Sequence, residues 1–502
     1  MNRFRIVSFA LVYLVAISTT LTAQDSAAER HHPRYKLIDL GTLGGPVGYE
    51  PGEGVLFLNN SGVIAAAADT SIPDPNAPDR CFLDCFVTHA VRWKNGTLTD
   101  LGAIPENNSS QALSINAQGW SAGLSQNGLI DPLTGMPEWR AAFWRSNVIH
   151  ALGTLGGDES IASAITNSGE VIGLSTIDET TDPFAFFGAP THPFIWKDGK
   201  MMDLGTLGGP DAFLTGDCGN PELIVGGSLT NNVPNETTQF PTQDPFVWVN
   251  GRMIDLGALG GTIGSAQCGN KRGQIIGQSN LAGDLTSHPF IWERGVLKDL
   301  GTLGGDNGTA IWINDAGEVV GDADVPGSQT HHAFLWRKGV MTDLGTLDGS
   351  SHATAVNLWG QVVGYFSVSG RTEPPFRHPF IWEKNGPMVD LNTLIPANSG
   401  LELVTADNIN ERGEIVGVGV PARCFPDSCG HLFLLIPSPS DDSEGYQDKG
   451  ESPNAPVQSD TEPTAVRLAS TQAPLTPEER VASWRAQTAS RYHLAGRRTS
   501  TE

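Results

Sequence analysis

Basic residues are scarce in this sequence: 31 Lys and Arg stand against 55 Asp and Glu, a formal net charge of -24 over 502 residues. Nucleic-acid binding needs a surplus of cations on some face, so that class of partner is excluded. Charged residues of both signs make up only 17% of the chain, and no long helical periodicity runs through residues 35–437. Apolar runs long enough to cross a bilayer are missing, so no membrane span is expected in the mature chain. Also missing are G-x-S-x-G, H-E-x-x-H, a phosphate loop, paired carboxylates and a Ser/His/Asp order, which leaves no linear enzyme motif.

What is abundant is punctuation, with 59 Gly and 33 Pro. That composition suits many short strands joined by tight turns. At the N-terminus Arg3 and Arg5 precede an apolar run from Ile6 to Ile17, and small and polar residues lead to Ala23. The pattern reads as a secretory signal peptide over 1–23 followed by a linker over 24–34, and it implies a secreted or periplasmic protein. Export permits disulfides, and the six Cys form an even set. Cys81 and Cys85 share one loop, Cys424 and Cys429 another, so each pair is expected to staple its own turn. Cys218 and Cys268 occupy matching places in adjacent repeats (GDCGN and AQCGN), which predicts a bridge between neighbours. Metal binding is the alternative, but no CxxC with matching His accompanies them.

The phrase DLGTLGG stands at 39, 203 and 299, and DLGALGG at 255. Aligning on it gives eight registers, opening at Asp39, Asp100, His150, Asp203, Asp255, Asp299, Asp343 and Asp390, and these define units 1 to 8. Within a unit such as 300–343, TAIWIN, EVVGDA, HAFLW and GVMTD are short, apolar or β-branched segments bounded by Gly, Asn or Asp. Four antiparallel strands at this repeat length predict an all-β fold, a β-propeller of eight four-stranded blades spanning 35–437. Seven blades is the fallback if the degenerate registers at 100 or 390 form none. The fourth strand is missing after Leu435, and an unpartnered copy, YKLIDLG, stands at 35–41. The N-terminal strand is therefore expected to complete the last blade and leave no open edge.

With HHAFLW flanked by DLGTLGG and INDAGEVVG, the chain resembles the HAF-repeat family of extracellular bacterial proteins. His332, Ala333 and Phe334 match the naming motif, and HPF at 192, 288 and 378 are near variants. The resemblance covers 35–437 and implies an exported repeat protein, with no activity, cofactor or catalytic residue to carry over. Units with DPF at 244, RAAF at 140 and HALGTLGG at 150 depart from the pattern, and locally altered contacts are expected there.

The repeated Trp and His read as packing and as hydrogen-bonding to a nearby turn, because six imidazoles on six units cannot share one metal. Exceptions to the repeat are better candidates. The loops between second and third strands are long in units 1 to 4 (69–88, 125–139, 175–191 and 228–243), which points to a binding face on a rigid scaffold. They carry Asp69, Asp74, Asp79, Asp84, Asp178, Glu179 and Asp182, for which a solvated acidic rim is the expected role and Ca²⁺ ligation the alternative. No cofactor is otherwise implied. Phe184, Phe186 and Phe187 either anchor a partner or pin their loop. Trp120 and Trp359 fall in turns on the opposite face, where stacking on a carbohydrate is conceivable.

The leading expectation is a monomeric, non-catalytic scaffold that binds a protein or glycan through its long loops. The alternative is a cell-envelope hydrolase or lyase with a site at the central channel, since propellers can assemble sites from distant segments. After Pro437 a Ser-, Pro- and acid-rich stretch, 438–475, reads as a disordered linker. Residues 476–502 form a tail in which Thr476, Pro477 and Glu479 can cap a short helix.

Overall fold

The computed structural model describes residues 33–438, apart from 79–80, 82–84, 105–107, 186, 328–329, 372–374, 384–385 and 423. The expected signal peptide, linker and tail helix lie outside the described residues. Within them, helix is limited to Pro426–Cys429 and a 3-10 turn at Leu391–Leu394. Unit 6 forms four strands, Gly308–Ile313, Val319–Asp324, His331–Arg337 and Val340–Asp343, adjacent in chain order and antiparallel. Units 1, 2, 3 and 7 do the same. Units 4 and 5 share one eight-stranded sheet through a single parallel pairing, Gln243 with Ile263. In unit 8 the first strand is split into Glu402–Leu403 and Asn408–Ile409. Its third strand, His431–Pro437, pairs antiparallel with Tyr35–Asp39, setting Tyr35 opposite Pro437 and Asp39 opposite Phe433. Each unit packs on the one before it, and the fold is a β-propeller.

The core repeats one steric device. The Phe of HAF, HPF and the variants DPF and HLF is fully buried (Phe194, Phe246, Phe290, Phe334, Phe380 and Phe433). Opposite each lies a second-strand glycine, such as Gly173 facing Phe194 and Gly321 facing Phe334. A Cβ on Gly173 would sit 2.6 Å from the Phe194 ring, so the ring fills the volume that glycine vacates. Unit 1 solves the same position with two small residues, Ala67 opposite Ala90.

The recurring His meets the Asp that opens the next DLG phrase. His192 Nδ1 lies 2.9 Å from Asp203, His332 3.0 Å from Asp343, and His431 3.0 Å from Asp39, 392 residues away in sequence. The same carboxylates accept the N–H of the following glycine, at 2.8 Å for Asp39 and Gly41. That glycine has φ +70°, a left-handed turn into the crossing to the next unit.

A side-chain ladder runs around the turns between first and second strands. In units 1, 2 and 5 to 8 the Asn of the turn accepts N–H groups two and four residues on, as Asn314 does from Ala316 and Glu318. Its Nδ2 donates to the corresponding carbonyl of the next unit: Asn59 to Asn116, Asn116 to Thr166, Asn270 to Asn314, Asn314 to Asn357, and Asn357 to Asn410, at 2.9–3.1 Å. Asn410 donates to Asn59 at 3.2 Å, joining the last unit to the first. Unit 3 has Thr166 in place of the Asn, its Oγ1 accepting the Glu170 N–H, and unit 4 also lacks the Asn. There Thr215 Oγ1 donates to Gln267 O, Gly216 N–H donates to the same carbonyl, and the Cys218–Cys268 disulfide spans units 4 and 5.

Candidate functional site

Unit 1 breaks the repeat at its first strand. The chain leaves the sheet after Tyr49 and rejoins it at Leu58. Between them Gly54 O accepts from Asp217 and Cys218 N–H, and Leu56 N–H donates to Asp217 Oδ1. Leu56 O accepts from Ile115 N–H, while Val55 O and Phe57 N–H both bond to the Asn408 side chain. Glu53 reaches His352 and Tyr365 at 3.2 and 3.3 Å. One short segment therefore bonds to units 2, 4, 7 and 8, which places it across the propeller's centre as a plug. Sequence reading missed it, although a signal exists: 14 residues separate Gly45 from the turn residue Asn59, against 9 from Gly305 to Asn314 in unit 6.

The plug ends in a polar cluster on the side of the long loops. His352 is buried, with Nδ1 2.6 Å from Asp322 and Nε2 3.2 Å from Glu53. Burial opposes its charge, but Glu53, Tyr365 and Asp322 together raise its pKa well above the usual imidazole range. The Arg377 guanidinium lies 4.6 Å over the Tyr365 ring. Beside them burial, then the charge of Glu50, pushes the Asp407 carboxyl far above its ordinary range. Carboxylates and a histidine from several units thus converge at the channel mouth. The imidazole, however, is held between two carboxylates as a cation, with neither nitrogen free to take a proton. In chemical terms it is an ionic pin that fastens the plug to units 6 and 7.

The second-to-third-strand loops share one face with the crossings. Three of the four long ones are stiff hairpin arms, because the second strand runs on past the sheet: Ile64–Pro73, Ser121–Ile130 and Ile224–Pro234 have 10, 10 and 11 residues, against 6 in unit 6. Outer pairs such as Ile130 with Pro137 and Pro234 with Pro241 hold the arms together. Unit 3 differs. Phe187 is buried among Leu113, Leu124, Trp139 and Ile161, and Phe184 meets Phe240 edge-on at 5.4 Å. Those two aromatics pin the loop, and Phe186 lies outside the described residues.

The acidic candidates do not converge. Asp69 is buried and accepts from Val47 N–H and the Thr88 hydroxyl at 3.0 and 2.8 Å. Asp74 is buried and accepts the Asn76 N–H. Asp178 is exposed, and hydrogen bonds from the Thr180 hydroxyl and N–H lower its pKa. Glu179 is exposed nearby. Asp182 accepts the Phe184 N–H and faces Asp211, whose carboxyl is pushed up to about 8 by burial and then by the Asp182 charge. Asp79 and Asp84 lie outside the described residues. Among the described residues no group of three or more His, Cys, Asp or Glu is placed to hold a metal ion.

Trp120 and Trp359 stand on the opposite, turn face. Arg145 covers the Trp120 ring at 4.3 Å, and the turn glycine Gly169 closes on it, so its faces are used within the protein. Trp359 is exposed and donates its indole N–H to Glu411 O at 2.8 Å. Disulfides join Cys81 to Cys85, Cys218 to Cys268 and Cys424 to Cys429.

No family model and no curated protein matches the chain. Solved structures that resemble it include the β-propeller domain of the Trilobed protease from Pyrococcus furiosus, at 10% identity and TM-score 0.38 over 72% of this chain and 97% of that one. An acylaminoacyl peptidase from Pyrococcus horikoshii overlaps at 12% identity and TM-score 0.38, over 72% of this chain; the match spans 56% of the peptidase. TolB from Acinetobacter baumannii overlaps at 9% identity and TM-score 0.31, over 74% of this chain and 79% of that one. Overlaps this loose carry no argument about activity, and the propeller assignment stands on the strand pairing.

Proposed function

We propose that the chain is an exported, monomeric propeller of the HAF-repeat type that works as a binding scaffold, taking a protein or glycan on its arm-bearing face. The observation that carries this reading is the set of stiff arms in units 1, 2 and 4, whose tips hold exposed Ile72, Leu129, Ile130, Leu133 and Val233. Exposed aliphatic side chains on rigid supports are what a partner would bury. In the same reading eight blades form the ring, and the N-terminal strand shuts it. The signal-peptide pattern and three disulfides fit export into an oxidising compartment.

The test is to shorten the arms of units 2 and 4, replacing 128–134 and 232–238 by tight turns, and to compare both proteins on glycan arrays and immobilised envelope proteins. Wild type should bind and the shortened form should not, with circular dichroism unchanged. Equal binding by both would end the proposal. Deleting 175–191 would be a poor test, since it removes Phe187 from a packed cluster.

A second reading, a hydrolase or lyase at the channel, is favoured by the Glu53, His352, Asp322 and Tyr365 cluster. It requires that Glu53→Gln abolish hydrolysis of ester or polysaccharide substrates that the wild type cleaves. If no such turnover exists in the wild type, the cluster keeps only its pinning role.

A further inference from the structure

Charge divides between the two faces of the propeller. The turns between third and fourth strands lie opposite the arms, and they mix Lys94, Arg145, Lys197, Arg252, Arg294 and Arg337 with the acids Asp198 and Glu293. In the described parts of the four long segments on the arm face, 69–88, 125–139, 175–191 and 228–243, Asp178, Glu179 and Glu236 are exposed, Asp182 is half-buried, Asp69, Asp74, Asp131 and Glu138 are buried, and there is no Lys or Arg. Aliphatic side chains are exposed at the arm tips: Leu129 is 59% exposed, Val233 66%, and Leu285, in the corresponding turn of unit 5, 88%.

The tips are fixed by hydrogen bonds rather than left to wander. Asp131, buried, accepts Leu133 and Thr134 N–H, and Asn127 accepts Leu129 N–H. In unit 4, Asn235 accepts Thr237 and Thr238 N–H and donates to the Thr262 hydroxyl. A partner that docks here pays little ordering entropy.

We infer that the arm face seats a cationic polypeptide, one that presents Lys or Arg beside aliphatic side chains; this rests on the binding reading proposed above and narrows its partner. The chemistry disfavours the other classes. Nucleic acids and anionic glycans are repelled by the carboxylates. Neutral sugars stack on aromatic faces, and the exposed tips of these arms are aliphatic. An anionic lipid surface calls for cations around inserted aliphatic residues, and here they are acidic. A Lys/Arg-rich apolar segment gains on both counts, with charge guiding approach and aliphatic burial setting the lifetime of the complex.

The test uses three labelled peptides of equal length, alternating Lys–Leu, Glu–Leu and Lys–Ser, followed by fluorescence anisotropy with the full mature chain. The Lys–Leu peptide should bind at least about tenfold more tightly than either control, and more weakly as salt rises from about 0.05 to 0.3 M. The triple variant Leu129→Ser, Val233→Ser, Leu285→Ser leaves charge untouched and should lose about tenfold or more of that affinity. The opposite-face triple Val148→Ser, Val296→Ser, Val340→Ser should bind as the wild type does. Melting curves of both triples confirm folding, since all six positions are exposed. Equal affinity for Lys–Ser and Lys–Leu would reduce the effect to bare charge and overturn the inference. So would full retention of binding by the arm triple. If zwitterionic vesicles sediment the wild type but not the arm triple, the partner is a lipid surface and the polypeptide inference fails while the arm face survives. If arm shortening abolishes binding to a neutral glycan instead, the scaffold reading likewise stands and this one falls.

Discussion

Unit 6 and unit 4 are built on the same strand plan and differ at nearly every marker of the repeat. Unit 6 has the turn Asn314, the pair His332 with Asp343, and Phe334 beneath Gly321. Unit 4 keeps only the last device, as Phe246 opposite Gly226. Its turn Asn is gone, and Asp244 stands where units 1, 3 and 5 to 8 have His. The comparison separates what the fold requires from what it can exchange. A ring over a glycine fills the core in six units, while units 1 and 2 place small residues there, Ala67 opposite Ala90 and Gly123 opposite Ala142. A turn rung is a hydrogen bond that a disulfide, a Thr hydroxyl and a backbone N–H can replace, and a His–Asp pair is surface electrostatics that units 2 and 4 do without.

The largest expected effect follows from the core device that units 4 and 6 share. Phe334→Ala and Phe246→Ala should each cost about 3–5 kcal/mol, because both rings are fully buried. Denaturant midpoints would check this, and a marked difference between the two units would show that the core is not shared equally. Next comes the exchange at the unit 4–5 joint. Cys218→Ser with Cys268→Ser opens a loop of 50 residues and should cost roughly 2–4 kcal/mol. Asn314→Ala, which removes one rung and leaves N–H groups unpaired, should cost about 1–3 kcal/mol. Proteolysis of the double Ser variant should begin near unit 4, and cuts elsewhere would argue that the disulfide does not stand in for the ladder.

How much of this was legible in the sequence follows from the range of each interaction. Strand number, strand ends and the extra N-terminal copy are local patterns repeated eight times, so the quartets and the pairing of Tyr35–Asp39 with His431–Pro437 could be anticipated. The His partner was anticipated only as a nearby turn; that it is the DLG Asp depends on strand register, which a single unit does not reveal. The plug was missed because its contacts run to Asp217, His352 and Asn408, all more than 150 residues away, and a local pattern carries no trace of them. The arms were seen as long loops, but their stiffness arises from cross-strand pairs such as Ile130 with Pro137. PFAFF left two readings open, and tertiary packing of Phe187 on unit 2 decides for pinning.

A gain should come from repairing unit 4. Burial and then the Asp255 charge push the Asp244 carboxyl up to about 6. An acid raised in the folded state loses stability as pH climbs from its unfolded value near 4 through 6. Asp244→His should relieve this and create the pair found in six other units, adding about 1 kcal/mol at pH 7 after allowance for solvent screening. A melting temperature no higher than that of the wild type would mean that unit 4 has compensated in another way.

The smallest effect concerns the pair between His431 and Asp39, which joins the two ends of the propeller. The hydrogen bond to Asp39 raises the His431 pKa. For Asp39, burial acts upward, but the hydrogen bonds from His431 and Gly41 outweigh it and the carboxyl titrates below its ordinary value. A raised base stabilises fully below its unfolded value near 6.5 and loses that contribution as pH rises through the folded value. A lowered acid stabilises above its unfolded value near 4 and loses that contribution as pH falls through the folded one. The pair should therefore contribute most between about pH 4 and 6.5. Both groups are partly exposed, so His431→Gln should lower stability by no more than about 1 kcal/mol in that window, and by less at pH 8. The same substitution at His332, whose Asp343 is close in sequence, lies within a single unit and should leave hydrogen exchange of Tyr35–Asp39 unchanged, whereas His431→Gln should speed it. Equal exchange in the two variants would show that the pair plays no part in holding the N-terminal strand.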